Sequence, residues 1–442
     1  MNPVIKICYL IFLFLIQVSA GAQGTWSRIE VPTHLFLKSL FFTDSLYGWT
    51  AGDSGVILHT SDGGKTWIKQ NSGTQDEITA LFFLDSNRGW AAAINYSVSP
   101  FGTVLLKTTN GGSDWISTPY PDSNIFITCI LFRDSLNGWM GGRPNAIVKT
   151  TDGGLTWTQA AIDTSVLAFM PVLNIKFYNN KYGYACGGSF DIAGVIWRTS
   201  NGGDTWSAMD PSQAPADEVH ELFLFDSLNV IGAGGDPDFG NGVGMIRTSD
   251  GGLNWNYQQL GMQGTAVDID FRNQSEVWSP LGTRGTLIYS LNAGDTWTEI
   301  AAPDSAAIFR ITFPDSLHGW AVGRDGAVLK FKPVSSGGIS PGPSDPEVMI
   351  LYQNNPNPFS NSTKINFRIP AGTGTIHLTL KVYNILGVEV SILADGEFSP
   401  DVYESTFDAV NLPGGIYFYR LTSNKSANTI HDEVQRKMVL IK

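Results

Sequence analysis

Short apolar runs, broken by Gly, Asp, Asn and Ser, recur from residue 24 to about residue 332. They are too short for ordinary helices, and they predict strands joined by tight turns. One turn returns six times, each copy closing on a tryptophan. The first is Thr60-Ser61-Asp62-Gly63-Gly64-Lys65-Thr66-Trp67. The others end at Trp115, Trp157, Trp206, Trp255 and Trp297, so successive steps are 48, 42, 49, 49 and 42 residues. A period in that range marks a propeller blade, a solenoid turn or an array unit.

The shared pattern is Ser/Thr, any, Asp/Asn, any, Gly, any, usually Thr, then Trp. Asp62, Asp152 and Asp250 fill the acidic position, and Asn110, Asn201 and Asn292 replace it in the other copies. Either side chain can bind backbone N–H groups a few residues on. Gly supplies a positive φ, and Trp opens the next strand with a large ring to bury. Exchange of Asp for Asn in half the copies keeps the turn and removes the charge, which argues for a structural role over a metal site. The pattern resembles the Asp-box of sialidases, sortilin-like receptors and photosystem II assembly-factor-like propellers. That resemblance implies a position between the third and fourth strands of a blade.

A second landmark precedes each turn. In its first copy it reads Phe41-Phe42-Thr43-Asp44-Ser45-Leu46-Tyr47-Gly48-Trp49, and it recurs around Trp90, Trp139, Tyr184, Val230, Trp278 and Trp320. Seven landmarks face six complete boxes. Gly24-Thr25-Trp26, 41 residues before Trp67, supplies the missing end. The N-terminal strand is therefore expected to complete the last blade and to remove exposed sheet edges. The fold class expected is all-β: a seven-bladed β-propeller over residues 23–333, followed by a small C-terminal β-sandwich. Twelve of the thirteen tryptophans fall on the two repeat positions, so most are expected to pack blade against blade.

The chain ends differ in kind. Residues 1–22 read as a secretory signal, with Lys6 before an apolar run too short for a membrane span; no other stretch reaches spanning length. Residues 334–347 are rich in Ser, Gly and Pro and read as a linker. Residues 348–442 alternate as half-buried strands. Asn355-Pro356-Asn357-Pro358-Phe359, Val382 to Gly387, Leu412 to Leu421 and Lys437 to Lys442 resemble, block by block, the type A sorting domain of the type IX secretion system. The resemblance implies the type IX machinery as a partner, a Gram-negative source, and passage through the periplasm to the cell surface or medium. Net charge is −12, which disfavours nucleic acid and anionic membranes as partners. Cys129 and Cys186 outlast the leader, either as buried free thiols or as a disulfide.

Candidate chemistry is sparse. Long loops on a rigid scaffold carry binding, and three stand out: 95–102, 189–194 and 236–243. Asn95, Tyr96, Asp191, Asp236, Asp238 and Phe239 mark the expected binding face. Its ligand is read as a protein or glycan. Glu77 and Glu218 share one repeat position and form the alternative catalytic pair of a secreted glycoside hydrolase; they are equally ordinary as solvated residues at strand starts. Glu218 and His220, two apart on a strand, can converge while Glu221 cannot, a weak metal signal. No metal or cofactor is expected, and a binding or scaffold role is favoured over an enzyme.

Overall fold

The computed structural model describes residues 24–440 apart from 98, 100, 145, 164, 237–241, 274, 335–348, 353, 355–356, 358, 370–373, 386 and 425–430. The expected signal (1–22), nearly all of the expected linker (334–347), and Asp238 and Phe239 lie outside the described residues.

Residues 24–333 form seven small sheets, which we number in chain order. Sheets 1 to 6 take residues 37–70, 77–119, 126–159, 161–208, 219–259 and 270–301. Each is an antiparallel meander; sheet 4 adds the short parallel strand Ala161–Ile162 beside Thr205–Ala208. Sheet 7 is built from both ends of the region. Ile308–Thr312, Trp320–Gly323 and Val328–Pro333 are joined by Gly24–Ile29, with Gly24 opposite Pro333 and Ile29 opposite Val328. The expected latch of the N-terminal strand is thus present.

The aromatic rings join neighbouring sheets by a repeated contact. The landmark Trp of one sheet meets the Phe that ends the first strand of the next: Trp320 stacks on Phe42 at 3.8 Å, Trp49 on Phe83 at 3.6 Å and Trp90 on Phe132 at 3.8 Å, and Trp139 packs tilted on Phe177 at 4.4 Å. Each Phe also meets its own sheet's turn Trp edge-on: Trp67, Trp115, Trp157 and Trp206. Trp26 meets Phe313 in the same way at 5.6 Å, so the N-terminal strand occupies the turn-Trp position of sheet 7. Each such pair adds about 0.5–1.5 kcal/mol beyond its buried area.

The turn glycine exists for this contact as well as for its backbone. Gly64 has φ 75°, and a Cβ there would sit 2.6 Å from the Trp320 indole nitrogen. A Cβ on Gly203 would sit 2.3 Å from that of Trp139. Within each turn the polar side chain does what its pattern predicts. Thr66 donates to Asp62 from both its N–H and its hydroxyl, and Gly64 N–H donates to Thr60 Oγ1. Where Asn replaces Asp, the amide keeps the contact: Thr296 N–H donates to Asn292 Oδ1, and Asn292 Nδ2 donates to Thr296 Oγ1.

Residues 349–440 form two antiparallel sheets. One holds Ile350–Leu351, Ser362–Arg368 and Val402–Asp408. The other holds Glu389–Phe398, Ile376–Asn384, Gly415–Asn424 and His431–Leu440 in that spatial order. Leu351, Phe367, Leu378, Leu380, Phe407, Tyr419, Met438 and Leu440 share one core between them. The strand His431–Leu440 lies at a sheet edge.

Candidate functional site: two ends of one cavity

The first strand of every sheet in the repeat region lines a common cavity of about 440 Å³. Six of those strands carry a β-bulge near their start, at 37/39, 78/80, 127/129, 172/174, 219/221 and 308/310. A bulge leaves one residue unpaired and re-aims its neighbours. The skipped residues are Lys38, Thr79, Thr128, Leu173, His220 and Phe309. All six line a second pocket of about 320 Å³ at one end of the cavity, together with Phe36, Arg143 and Arg310. Nothing in the apolar–polar alternation announces a bulge, so sequence reasoning missed this layer.

This open end gathers basic, acidic and aromatic side chains. Phe36 and Phe309 lie 4.7 Å apart, and Arg324 sits over both rings at 5.5 and 5.6 Å. Lys38 bridges Asp53 at 2.8 Å and Glu77 at 2.7 Å. Arg143 pairs with Glu218 at 3.1 Å, and Arg310 donates to the Val267 and Phe309 carbonyls. His220 Nε2 lies 3.8 Å from Glu218, so these two side chains do converge. Burial, aided by Arg310 and Arg143, lowers the His220 pKa to about 4, leaving a neutral ring at pH 7. Burial also raises the Glu218 carboxyl, against the pull of Arg143. Glu77 and Glu218 are therefore each held by a separate cation.

Of the other predicted surface residues, Tyr96 lies near this end, within reach of the charges of Glu77, Arg143 and Lys38. Asn95 ends the strand Gly89–Asn95 and accepts from Ser97 N–H. Tyr96 is exposed and stacks on Phe126 at 5.0 Å, and burial of its hydroxyl with the nearby Glu77 charge raises its pKa. Asp191 is an exposed turn residue at φ 56°, and Asp236 pairs with Gly242 through the backbone. Cys129 and Cys186 are both buried as free thiols; burial pushes the Cys129 thiol up to about 12. Among the described residues, no group of three His, Cys, Asp or Glu is placed to hold a metal ion.

Deeper in the cavity three carboxylates enter the lining beside Lys176, Arg310 and Lys437. Glu221 accepts from Asn174 and pairs with Lys176 at 2.8 Å. Asp268 accepts from Ile269 and Ile311 N–H, and burial with the nearby Glu221 charge raises its pKa above the ordinary carboxylate range. Asp270 accepts from Phe271 and Phe313 N–H. The sequence reading singled out Glu77 and Glu218 at strand starts and set Glu221 aside as facing away; the register shift at 219/221 re-aims Glu221, while Asp268 and Asp270 were not considered.

The far end is covered. Ile416, Lys437 and Val439 of the C-terminal sheets complete the cavity lining. Arg436 bonds Asp315, a turn residue of sheet 7 whose carboxylate also accepts from Leu317 N–H, His318 N–H and His318 Nδ1. Despite full burial, Arg436 and His318 hold the Asp315 carboxyl below its usual range.

Comparison with known proteins fits both parts. Residues 18–122 match the family model "Photosynthesis system II assembly factor YCF48", and residues 355–434 match "Secretion system C-terminal sorting domain". The photosystem II stability/assembly factor HCF136 of Arabidopsis thaliana is 23% identical over 328 residues, covering 69% of this chain and 79% of its own. The photosystem II assembly lipoprotein Ycf48 of Picosynechococcus sp. is 25% identical over 323 residues, covering 72% and 90%. A structure of YCF48 bound to D1 peptide aligns with TM-score 0.55 at 20% identity, covering 70% of this chain and 96% of that one. Among the described residues no helix is long and apolar enough to cross a membrane. The chain is all-β and joins a YCF48-like β-propeller domain to a C-terminal sorting domain of the secretion-system type.

Proposed function

We propose that this is a non-enzymatic scaffold or assembly factor, exported by a type IX secretion system, that binds an extended segment of a partner protein at the open end of its cavity. Its seven sheets are read as the blades of one closed propeller over residues 23–333, and the two C-terminal sheets as a sandwich that addresses the chain to the export machinery. The match to the sorting-domain model supports the export route. The likeness to assembly factors, one of them bound to a peptide, supports the binding role.

One observation carries the choice of surface. On a chain of net charge −12, Lys38, Arg143, Arg310 and Arg324 gather with Phe36 and Phe309 around one mouth. Such a patch suits a segment bearing carboxylates and aromatic rings, since opposite potential steers encounter and cation–π contacts add to it. Glycoside hydrolysis by Glu77 and Glu218 draws no support from a geometry in which Lys38 and Arg143 each hold one of the two carboxylates.

The test is selection of peptides from a random display library on the full chain, followed by titration. Acidic–aromatic sequences should be enriched, and Lys38→Ala with Arg143→Ala should weaken them about tenfold or more. Absence of enrichment, or equal binding by the double variant, would refute this reading.

A further inference from the structure

The covered end of the cavity has the features of an occupied binding site. The apolar contacts are reciprocal: Leu317 of the repeat region packs on the core of the C-terminal sheets, and Ile416 packs on the core between sheets 5 and 6. Gly415 lies under the Tyr178 ring so closely that a Cβ there would fall 1.7 Å from the hydroxyl. Polar contacts run along the edge strand His431–Leu440. Ser316 Oγ donates to the Gln435 carbonyl at 2.5 Å, Arg436 pairs with Asp315 through both backbone and side chain, and Lys437 Nζ lies 3.8 Å from Asp270. Lys437 also sits 5.8 Å over the Phe223 ring.

Two physical arguments make this a site and not an incidental touch. An edge strand exposes unpaired backbone groups that proteins cover or blunt, and here the repeat region covers one. The charges are also complementary in the sense opposite to the open end. Asp270 and Asp315 receive Lys437 and Arg436, and both Asp315 and Arg436 are almost wholly buried. A buried carboxylate is costly unless it is paired, so Asp315 calls for a cation at this place.

We infer that the cavity end framed by Asp270 and Asp315 is a binding site for a β-strand that presents an adjacent Arg and Lys, and that the chain's own strand His431–Leu440 fills it through Arg436 and Lys437. It follows that this end accepts an outside strand of the same chemistry only when the C-terminal sheets have left. The inference is independent of the open-end reading, because the two use different residues at opposite ends.

The experiment uses the full chain with a specific protease site placed within residues 335–347. After cutting, the two pieces should co-elute on gel filtration at low salt. Arg436→Gln with Lys437→Gln should make them separate at the same concentration, with tryptophan fluorescence of the repeat piece unchanged. In the uncut chain, carbodiimide treatment should join Asp270 to Lys437, detected by mass spectrometry. The freed repeat piece should take up a labelled peptide of residues 431–442, and the peptide with both basic residues changed to Gln should bind about tenfold or more weakly. Separation of the wild-type pieces on cutting, absence of the Asp270–Lys437 link, or equal or no uptake of the two peptides would each overturn the inference.

Discussion

The two ends of the cavity are built from the same strands and use charge in opposite ways. At the open end, bulged residues place cations and aromatic rings around a mouth whose carboxylates are already answered by Lys38 and Arg143. At the covered end, the carboxylates Asp270 and Asp315 are answered by residues of another part of the chain, about 120 positions or more away in sequence. At the first end the charged groups answer one another within the repeat region; at the second they are answered by the C-terminal sheets. Polarity along a repeat scaffold therefore comes from what each strand presents at each end, while the repeated turn and its Trp set only the frame.

Five substitutions, two of them read as a pair, would break or sharpen that contrast. The largest effect is expected from Asp315→Ala, which strands Arg436 in a buried place and removes the acceptor of two turn N–H groups. Loss of one member of a buried pair costs about 3–5 kcal/mol, and a fall of the urea midpoint with release of the C-terminal sheets would show it. A midpoint near wild type would mean that the covered end is not held by charge.

The second change separates the ends by pH. His220 has a folded pKa near 4, below the unfolded value, so the unfolded chain binds the extra proton and stability falls as pH drops from about 7 to 4. The Asp268 pKa is raised, so the folded chain holds the extra proton and stability falls as pH rises above the ordinary carboxylate range. His220→Asn and Asp268→Asn should therefore change the pH dependence with opposite sign, each by up to about 1.36 kcal/mol per pH unit. Urea midpoints from pH 4 to 8 would measure this, and slopes of the same sign would contradict it.

A smaller stability effect is expected for Lys38→Ala. Its partners are partly exposed, so the cost should stay below about 1 kcal/mol, while affinity for an acidic peptide falls. The smallest is Asp62→Asn. The Thr66 N–H and hydroxyl hold the Asp62 carboxyl at about 2 against the cost of burial, but Asn110, Asn201 and Asn292 already do the same task uncharged. Its melting temperature should stay within about 1 °C of wild type above pH 4, by analogy with those three turns; a drop of several degrees would show that the acidic copies do something the Asn copies do not.

Local rules and periodicity made the frame legible. The seven landmarks, the Trp26 strand and the aromatic contacts between sheets all follow from residues whose neighbours recur at fixed spacing. The bulges were not legible, because a skipped residue such as Thr79 or Phe309 is defined by its cross-strand register and not by its chemistry. Glu221 was set aside as facing away for the same reason, whereas Asp268 and Asp270 open a sheet whose first strand, Asp270–Phe271, is too short to show an alternation. The seat of the C-terminal sheets was illegible for another: it joins Asp315 to Arg436 across a stretch with no repeating pattern. Glu218 and His220 were correctly expected to converge, yet their meaning changed once Arg143 was seen to hold the carboxylate.

The pairing of Gly24–Ile29 with Val328–Pro333 also sets the order in which this molecule can be finished. Some three hundred residues must be in place before the first strand finds its partner, and contacts of such long range are slow to form. Until then Val328–Pro333 lacks its outer neighbour in sheet 7. The completion of sheet 7 is therefore timed by a single short strand.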